Sequence, residues 1–185
     1  MKRIVILFSG EGTNLLNLID KLEGTPVSIA AAICNRPEAK GIERAKARGV
    51  DVDIIDHRLF ANREEFDTAL VSKIEEYKPD LVVMAGFMRI LTPVFTDNVK
   101  AINLHPSLLP RFKGTRAIER SFESGDEYGG VSVHWVSGEL DGGEVISQRS
   151  FKKEEGETLE SFTEKIHEIE YELLPETVER ICRDG

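Results

Sequence analysis

Asn103 and His105 stand two residues apart in Ala101-Ile102-Asn103-Leu104-His105-Pro106-Ser107-Leu108-Leu109-Pro110. At the end of a strand, that spacing puts an amide donor and an imidazole on one side of the chain. Imidazole exchanges protons near neutral pH, and a carboxamide donates to an oxygen gaining negative charge. The pair suits acyl transfer, and it equally suits a plain structural role in a loop. Ser137-Gly138-Glu139-Leu140-Asp141-Gly142-Gly143 presents two further carboxylates. A carboxylate set beside His105 would hold the imidazole's tautomer and favour its charged form. Alone, this stretch also reads as a hairpin turn with solvated acids.

Ser9-Gly10-Glu11-Gly12-Thr13-Asn14 follows an apolar run and precedes a helical pattern. A strand–turn–helix of this kind aims free backbone N–H groups and the positive helix end at one point, which suits a phosphate. The dinucleotide pattern GxGxxG fails, because Leu15 stands at its third glycine and Asn35-Arg36 stands where an acidic residue is needed. The P-loop pattern fails for want of a Lys-Ser/Thr pair. A phosphomonoester therefore fits better than NAD or ATP. Arg36, Arg63 and Arg89 are lesser candidates. Arg89 lies in Gly86-Phe87-Met88-Arg89-Ile90-Leu91, whose apolar members would floor a pocket for a planar ring or simply join the core. His57, His134 and His167 read as structural.

These groups need a scaffold. Non-alternating apolar runs at 4–8, 27–34, 81–85 and 101–104, with a brief one at 52–55, read as strands. Helical spacing follows Asn14, spans 42–48 with Gly49 closing it, and runs from a capping-box pair at Asn62 and Glu65 to Tyr77. Buried strands alternating with helices predict an α/β, Rossmann-like, open and mostly parallel sheet with helices on both faces. Val131, Val133 and Trp135 alternate with polar residues and 145–151 follows, which predicts an antiparallel C-terminal portion. Residues 158–183 read as a long helix that Pro175 kinks or splits.

The chain has 185 residues, which suits one domain, with an N-terminal part to about residue 100 and a C-terminal part beyond it. A formal charge of −9 argues against a non-specific nucleic-acid binder. Hydrophobic residues at 41% and charged residues at 31% argue against wholesale disorder. Cys34 and Cys182 lie far apart, so neither a disulfide framework nor a zinc site is expected. No segment approaches the roughly 20 apolar residues of a membrane span, and the opening MKRIVILFSG reads as a strand rather than a leader. A cytoplasmic protein without membrane partners is the expectation.

SGEGTNL, NREEF, AGFMRIL, INLHPSLLPRFKG and ELDGGEVI, in this order and spacing, resemble the folate-dependent phosphoribosylglycinamide formyltransferase family. The resemblance runs from about residue 4 to residue 175. HPSLLP with LDGG marks the wider formyltransferase superfamily, and SGxGTNL narrows it. The resemblance implies 10-formyltetrahydrofolate as co-substrate, 5-phosphoribosylglycinamide as acceptor, a role in purine (IMP) biosynthesis, and no metal. It implies small-molecule partners, no nucleic acid, and a monomer or homodimer. By matching positions it implies Asn103, His105 and Asp141 as the catalytic trio. It implies Gly12, Thr13, Asn14, His167 and Glu170 around the acceptor. It implies Arg63, Met88, Arg89, Ile90, Leu91 and Asn103, with Ser137, Gly138, Glu139, Leu140 and Asp141, around the folate. Two departures stand out. Glu11 replaces the usual Asn, and Thr115-Arg116-Ala117 lacks a histidine-bearing segment common in the family. The rivals are a sister formyltransferase acting on tRNA or an amino sugar, which the acidic charge and lack of a basic C-terminal domain oppose in the tRNA case, and a non-catalytic phosphate-binding module.

Overall fold

Runs of Ile, Val and Leu without polar alternation need cover on both faces, and the fold supplies it. The computed structural model describes residues 1–185. Strands Lys2–Phe8 (β1), Val27–Cys34 (β2), Val52–Ile54 (β3), Leu81–Met84 (β4) and Ala101–His105 (β5) pair in parallel. Tyr128–Trp135 (β6) and Val145–Lys152 (β7) add antiparallel to them. The order across the single sheet is β3-β2-β1-β4-β5-β6-β7. Helices Thr13–Leu22 (α1), Gly41–Ala47 (α2), Arg63–Tyr77 (α3), Pro93–Thr96 (α4), Ala117–Glu123 (α5) and Leu159–Asp184 (α6) connect or cover the strands.

The core is split by the sheet. Ile4, Ile6 and Phe8 point into a cluster shared with α1, α2 and α6, while Val5 and Leu7 point into one shared with α3 and α4. Alternate residues of one strand thus serve two cores. The topology also fixes where ligands belong. From β1 the chain winds outward through β2 and β3, then returns to β4 on the other flank of β1. The carboxyl ends of β1 and β4 therefore border the crevice where the winding reverses, the usual ligand position in such sheets.

Three local features go beyond the sequence reading or change it. Pro175 does not split the last helix, which is continuous over 26 residues. Proline lacks an N–H, so the Tyr171 carbonyl loses its helical donor. The Asn17 side-chain amide on α1 donates to it at 2.7 Å and replaces that bond. Second, the polar residues of β6 do not face water. Ser132 and His134 are as buried as Val131 and Val133. Ser132 donates to the Ser107 carbonyl at 2.7 Å and accepts from the Leu109 N–H at 3.1 Å, so its burial is hydrogen-bonded rather than costly. Third, the capping at Asn62 is one-sided as named. Asn62 accepts from the Glu65 N–H at 2.9 Å, but the Glu65 carboxylate reaches back to the Ala61 N–H at 3.2 Å. The reciprocal box sits at Thr158 and Ser161. Helices α4 and α5 are too short to leave a periodic signal.

Candidate active site

The loop 9–14 leaves β1 and opens α1. Gly12 caps the helix with φ +75°, a conformation glycine adopts without the cost an L side chain meets. No side chain caps α1, and its first turn carries no acid. The first-turn N–H groups are therefore open to an anion, with no carboxylate competing. Glu11 is exposed and its carbonyl accepts from Arg44 at 3.3 Å, so it is not buried among those donors. Thr13 is exposed, and the Asn14 Oδ1 is buried without a partner. Ser9 does not join this set. Its hydroxyl donates to Asn35 Oδ1 at 2.5 Å and accepts from the Met88 N–H at 2.8 Å, which ties the loop to the 86–91 segment after β4.

The second cluster forms where β5, β6 and the 137–141 loop meet. Asn103 Nδ2 is 3.5 Å from Asp141 Oδ1, and His105 Nδ1 is 3.6 Å from Asp141 Oδ2. The three residues predicted from two distant motifs thus converge. The Gly114 N–H donates to Asp141 Oδ2 at 2.8 Å. His105 Nε2 lies 2.8 Å from the Phe112 carbonyl, which only accepts, so Nε2 carries a hydrogen. Nδ1 then faces the Asp141 carboxylate at 3.6 Å, beyond a direct hydrogen bond. Asp141 sits at φ +51°, a sparsely populated backbone position for a non-glycine residue. Burial alone would push its carboxyl up. The neighbouring His134 imidazole, the Gly114 N–H and the charge of His105 outweigh it and hold the carboxyl below its ordinary value.

His134 belongs to this cluster, which its place in an alternating strand did not reveal. Its Nδ1 lies 2.9 Å from the Trp135 carbonyl and so donates to it. Its Nε2 is 3.1 Å from Asn103 Nδ2 and accepts from it. The antiparallel register that sets Asn103 opposite His134 is the signal, and it exists only once β5 and β6 are paired.

An open cleft adjoins the cluster. Arg89, Ile90, Leu91, Asn103 and residues 137–141 line it together with His134 and Val136. Arg89 stacks its guanidinium 5.2 Å from the Phe66 ring centre and keeps a buried Nε without an acceptor. An unpaired donor beside apolar walls is what a polar, planar ligand would satisfy. Met88 and Arg63 fall outside this lining. The Met88 side chain is exposed, and Arg63 stands exposed at the first position of α3. On α6, His167 Nδ1 meets Glu170 Oε1 at 2.6 Å. Hydrogen bonding to that carboxylate raises the His167 imidazole above its ordinary value. Glu170 is buried, and Asn17 of α1 bonds the carbonyl of the next residue, Tyr171. Burial raises both cysteine thiols, which makes them poor nucleophiles.

A Rossmann-like sheet carrying an amide, an imidazole and a carboxylate at its carboxyl edge defines a group-transfer enzyme class rather than a dinucleotide binder, and residues 2–178 match the family model described as formyl transferase. The chain belongs to the formyl transferase family. Phosphoribosylglycinamide formyltransferase of Escherichia coli (strain K12) is 39% identical over 179 residues, which cover 93% of this chain and 83% of that protein. The crystal structure of phosphoribosylglycinamide formyltransferase from Campylobacter jejuni subsp. jejuni NCTC 11168 superposes with a TM-score of 0.94 at 52% identity, covering 97% of each chain. The bovine trifunctional purine biosynthetic protein adenosine-3 is 37% identical over 185 residues, and this chain spans 18% of its length. No helix is long and apolar enough to cross a membrane.

Proposed function

We propose that this chain transfers the formyl group of 10-formyltetrahydrofolate to the amino group of 5-phosphoribosylglycinamide, a step of de novo purine biosynthesis. The observation that carries the reading is the meeting of Asn103, His105 and Asp141 beside one cleft. The names of the relatives and the open N–H groups of α1 support it. The phosphate would rest on Gly12, Thr13 and Asn14. Glu170, with His167, would hold the glycinamide side. The folate would lie along Arg89, Ile90 and Leu91 against the 137–141 loop, with Arg63 and Met88 at its outer edge. Metal chemistry has no part in this reading.

The neutral amine attacks the formyl carbon, and a C–N bond forms. Negative charge gathers on the formyl oxygen. Asn103 Nδ2 donates to that oxygen. His105 Nδ1 is the free imidazolium donor, because it lies 3.6 Å from Asp141, beyond hydrogen-bond reach, while Nε2 is committed to Phe112. Asp141 balances the imidazolium and passes the amine's proton, through water, towards N10 of the folate. The bond from the formyl carbon to N10 then breaks, and tetrahydrofolate leaves. Holding both substrates in one crevice supplies much of the acceleration.

Mixing the protein with 10-formyltetrahydrofolate and phosphoribosylglycinamide, and following deformylation of the folate by absorbance, tests this. Turnover with that acceptor is the expected result. Turnover only with an amino sugar or a charged tRNA assigns the chain to a sister formyltransferase. No turnover with any acceptor, together with phosphate-ester binding, makes it a binding module.

A further inference from the structure

The segment 111–116 supplies two of the contacts that order the cluster, yet none of its side chains enters it. Its backbone offers the Phe112 carbonyl to His105 and the Gly114 N–H to Asp141. Its conformation is unusual: φ is +58° at Phe112, +85° at Gly114 and +55° at Arg116. L residues seldom adopt that region, so something outside the segment must hold it there.

We propose that Arg120 is a positioning residue for the His105–Asp141 pair, acting through this segment; the proposal deepens the formyl-transfer reading and rests on it. Arg120 lies one turn into α5. Its Nη2 donates to the Lys113 carbonyl at 2.5 Å and its Nε to the Thr115 carbonyl at 3.0 Å. These two acceptors flank Gly114. The guanidinium also stands 5.9 Å from the Phe112 ring centre, where Arg111 approaches at 5.1 Å. One planar fork therefore grips residues 112, 113 and 115 at once, a task for which guanidinium geometry is pre-organised. Arg120 forms no ion pair with an acid, so these carbonyls are its partners.

Asp141 is the reporter. It faces His105 from β5, His134 from β6, the Asn103 amide, and the Gly114 N–H, and Lys113 pairs with neighbouring Glu139 at 3.2 Å. If the grip is lost, the turn relaxes, Gly114 no longer points at Asp141, and the carboxylate loses one of its stabilising donors.

The test is Arg120→Ala, with Arg120→Lys as the conservative companion. Three readouts apply: amide exchange at Gly114, titration of the Asp141 carboxyl by carbon NMR, and steady-state kinetics. In Arg120→Ala, Gly114 exchange should rise about tenfold or more, and the Asp141 midpoint should rise by about one pH unit. kcat should fall about tenfold, with KM for both substrates within about twofold, because Arg120 orders the reacting cluster without touching either ligand. Arg120→Lys should give intermediate values, and it carries the test if the alanine variant fails to fold. Unchanged exchange and an unchanged Asp141 midpoint overturn the proposal. The two NMR readouts need no turnover, so a wild-type protein that transfers no formyl group sinks the functional reading while this one is still decided.

Discussion

The two ends of the crevice are built from opposite materials. At the β1 end the chemistry is backbone: open N–H groups of α1, left free by a glycine cap and an acid-free first turn. At the β5 end the chemistry is side chain: an amide, two imidazoles and a carboxylate brought together from β5, β6 and the 137–141 loop. Local sequence suffices to make the first. The second needs strand pairing, an irregular turn and a helix behind it. A contiguous anion site therefore tolerates side-chain change and resists backbone change, while the composite site depends on its side chains and on the backbone that holds them.

Substitutions break or sharpen that contrast. The largest effect is expected at the composite end. His105→Ala, or Asn103→Ala, should lower kcat about 10²–10³-fold with the fold intact by circular dichroism, as removal of one oxyanion donor does elsewhere. Asp141→Asn should also cut turnover strongly, since a neutral amide cannot balance the imidazolium. Wild-type-like turnover in any of these removes the distinction. At the other end, Gly12→Ala should raise KM for phosphoribosylglycinamide while kcat changes little. It should also cost about 1–2 kcal/mol by denaturant unfolding, because φ is +75° and a Cβ there would lie 3.0 Å from Gly41 Cα.

Smaller effects concern α6. Asn17→Ala should cost about 1 kcal/mol by leaving the Tyr171 carbonyl unpaired. His167→Gln should cost at most about 0.5 kcal/mol, since the imidazole is partly exposed and solvent screens the pair. Its pH dependence has a definite sign. The folded imidazole titrates above its ordinary 6.5. The stabilisation is therefore complete below that value and disappears as pH rises through the folded midpoint. Asp141 has the opposite sign: its carboxyl is lowered from 3.8, so its contribution holds above that value and is lost as pH falls through the folded midpoint. Unfolding curves of wild type and His167→Gln should converge at alkaline pH.

What was legible follows the same divide. The parallel sheet could be read because buried strands leave long apolar runs such as Ile4-Val5-Ile6-Leu7. The pairing of Asn103 with His105 could be read because both lie on one strand. His134 was hidden because its partner, Asn103, lies 31 residues away and is set opposite it only by antiparallel register. The burial of β6's polar face is not legible because alternation normally marks a wet face, and here the polar side meets other polar groups. Helix α5 was missed because seven residues carry little periodicity, yet Arg120 sits on it. The effect of Pro175 could not be read because proline's local penalty is visible in sequence and the distant amide that offsets it is not.

That offset has a consequence for alignment. An uninterrupted helix presents the same backbone at every turn and can be docked one turn, about 5.4 Å, too high or too low. Pro175 leaves a single vacant acceptor on α6, and only one docking height brings it to Asn17. The gap acts as a keyway: it indexes α6 against α1, and so sets the level at which the Glu170 carboxylate stands relative to the turn that opens α1.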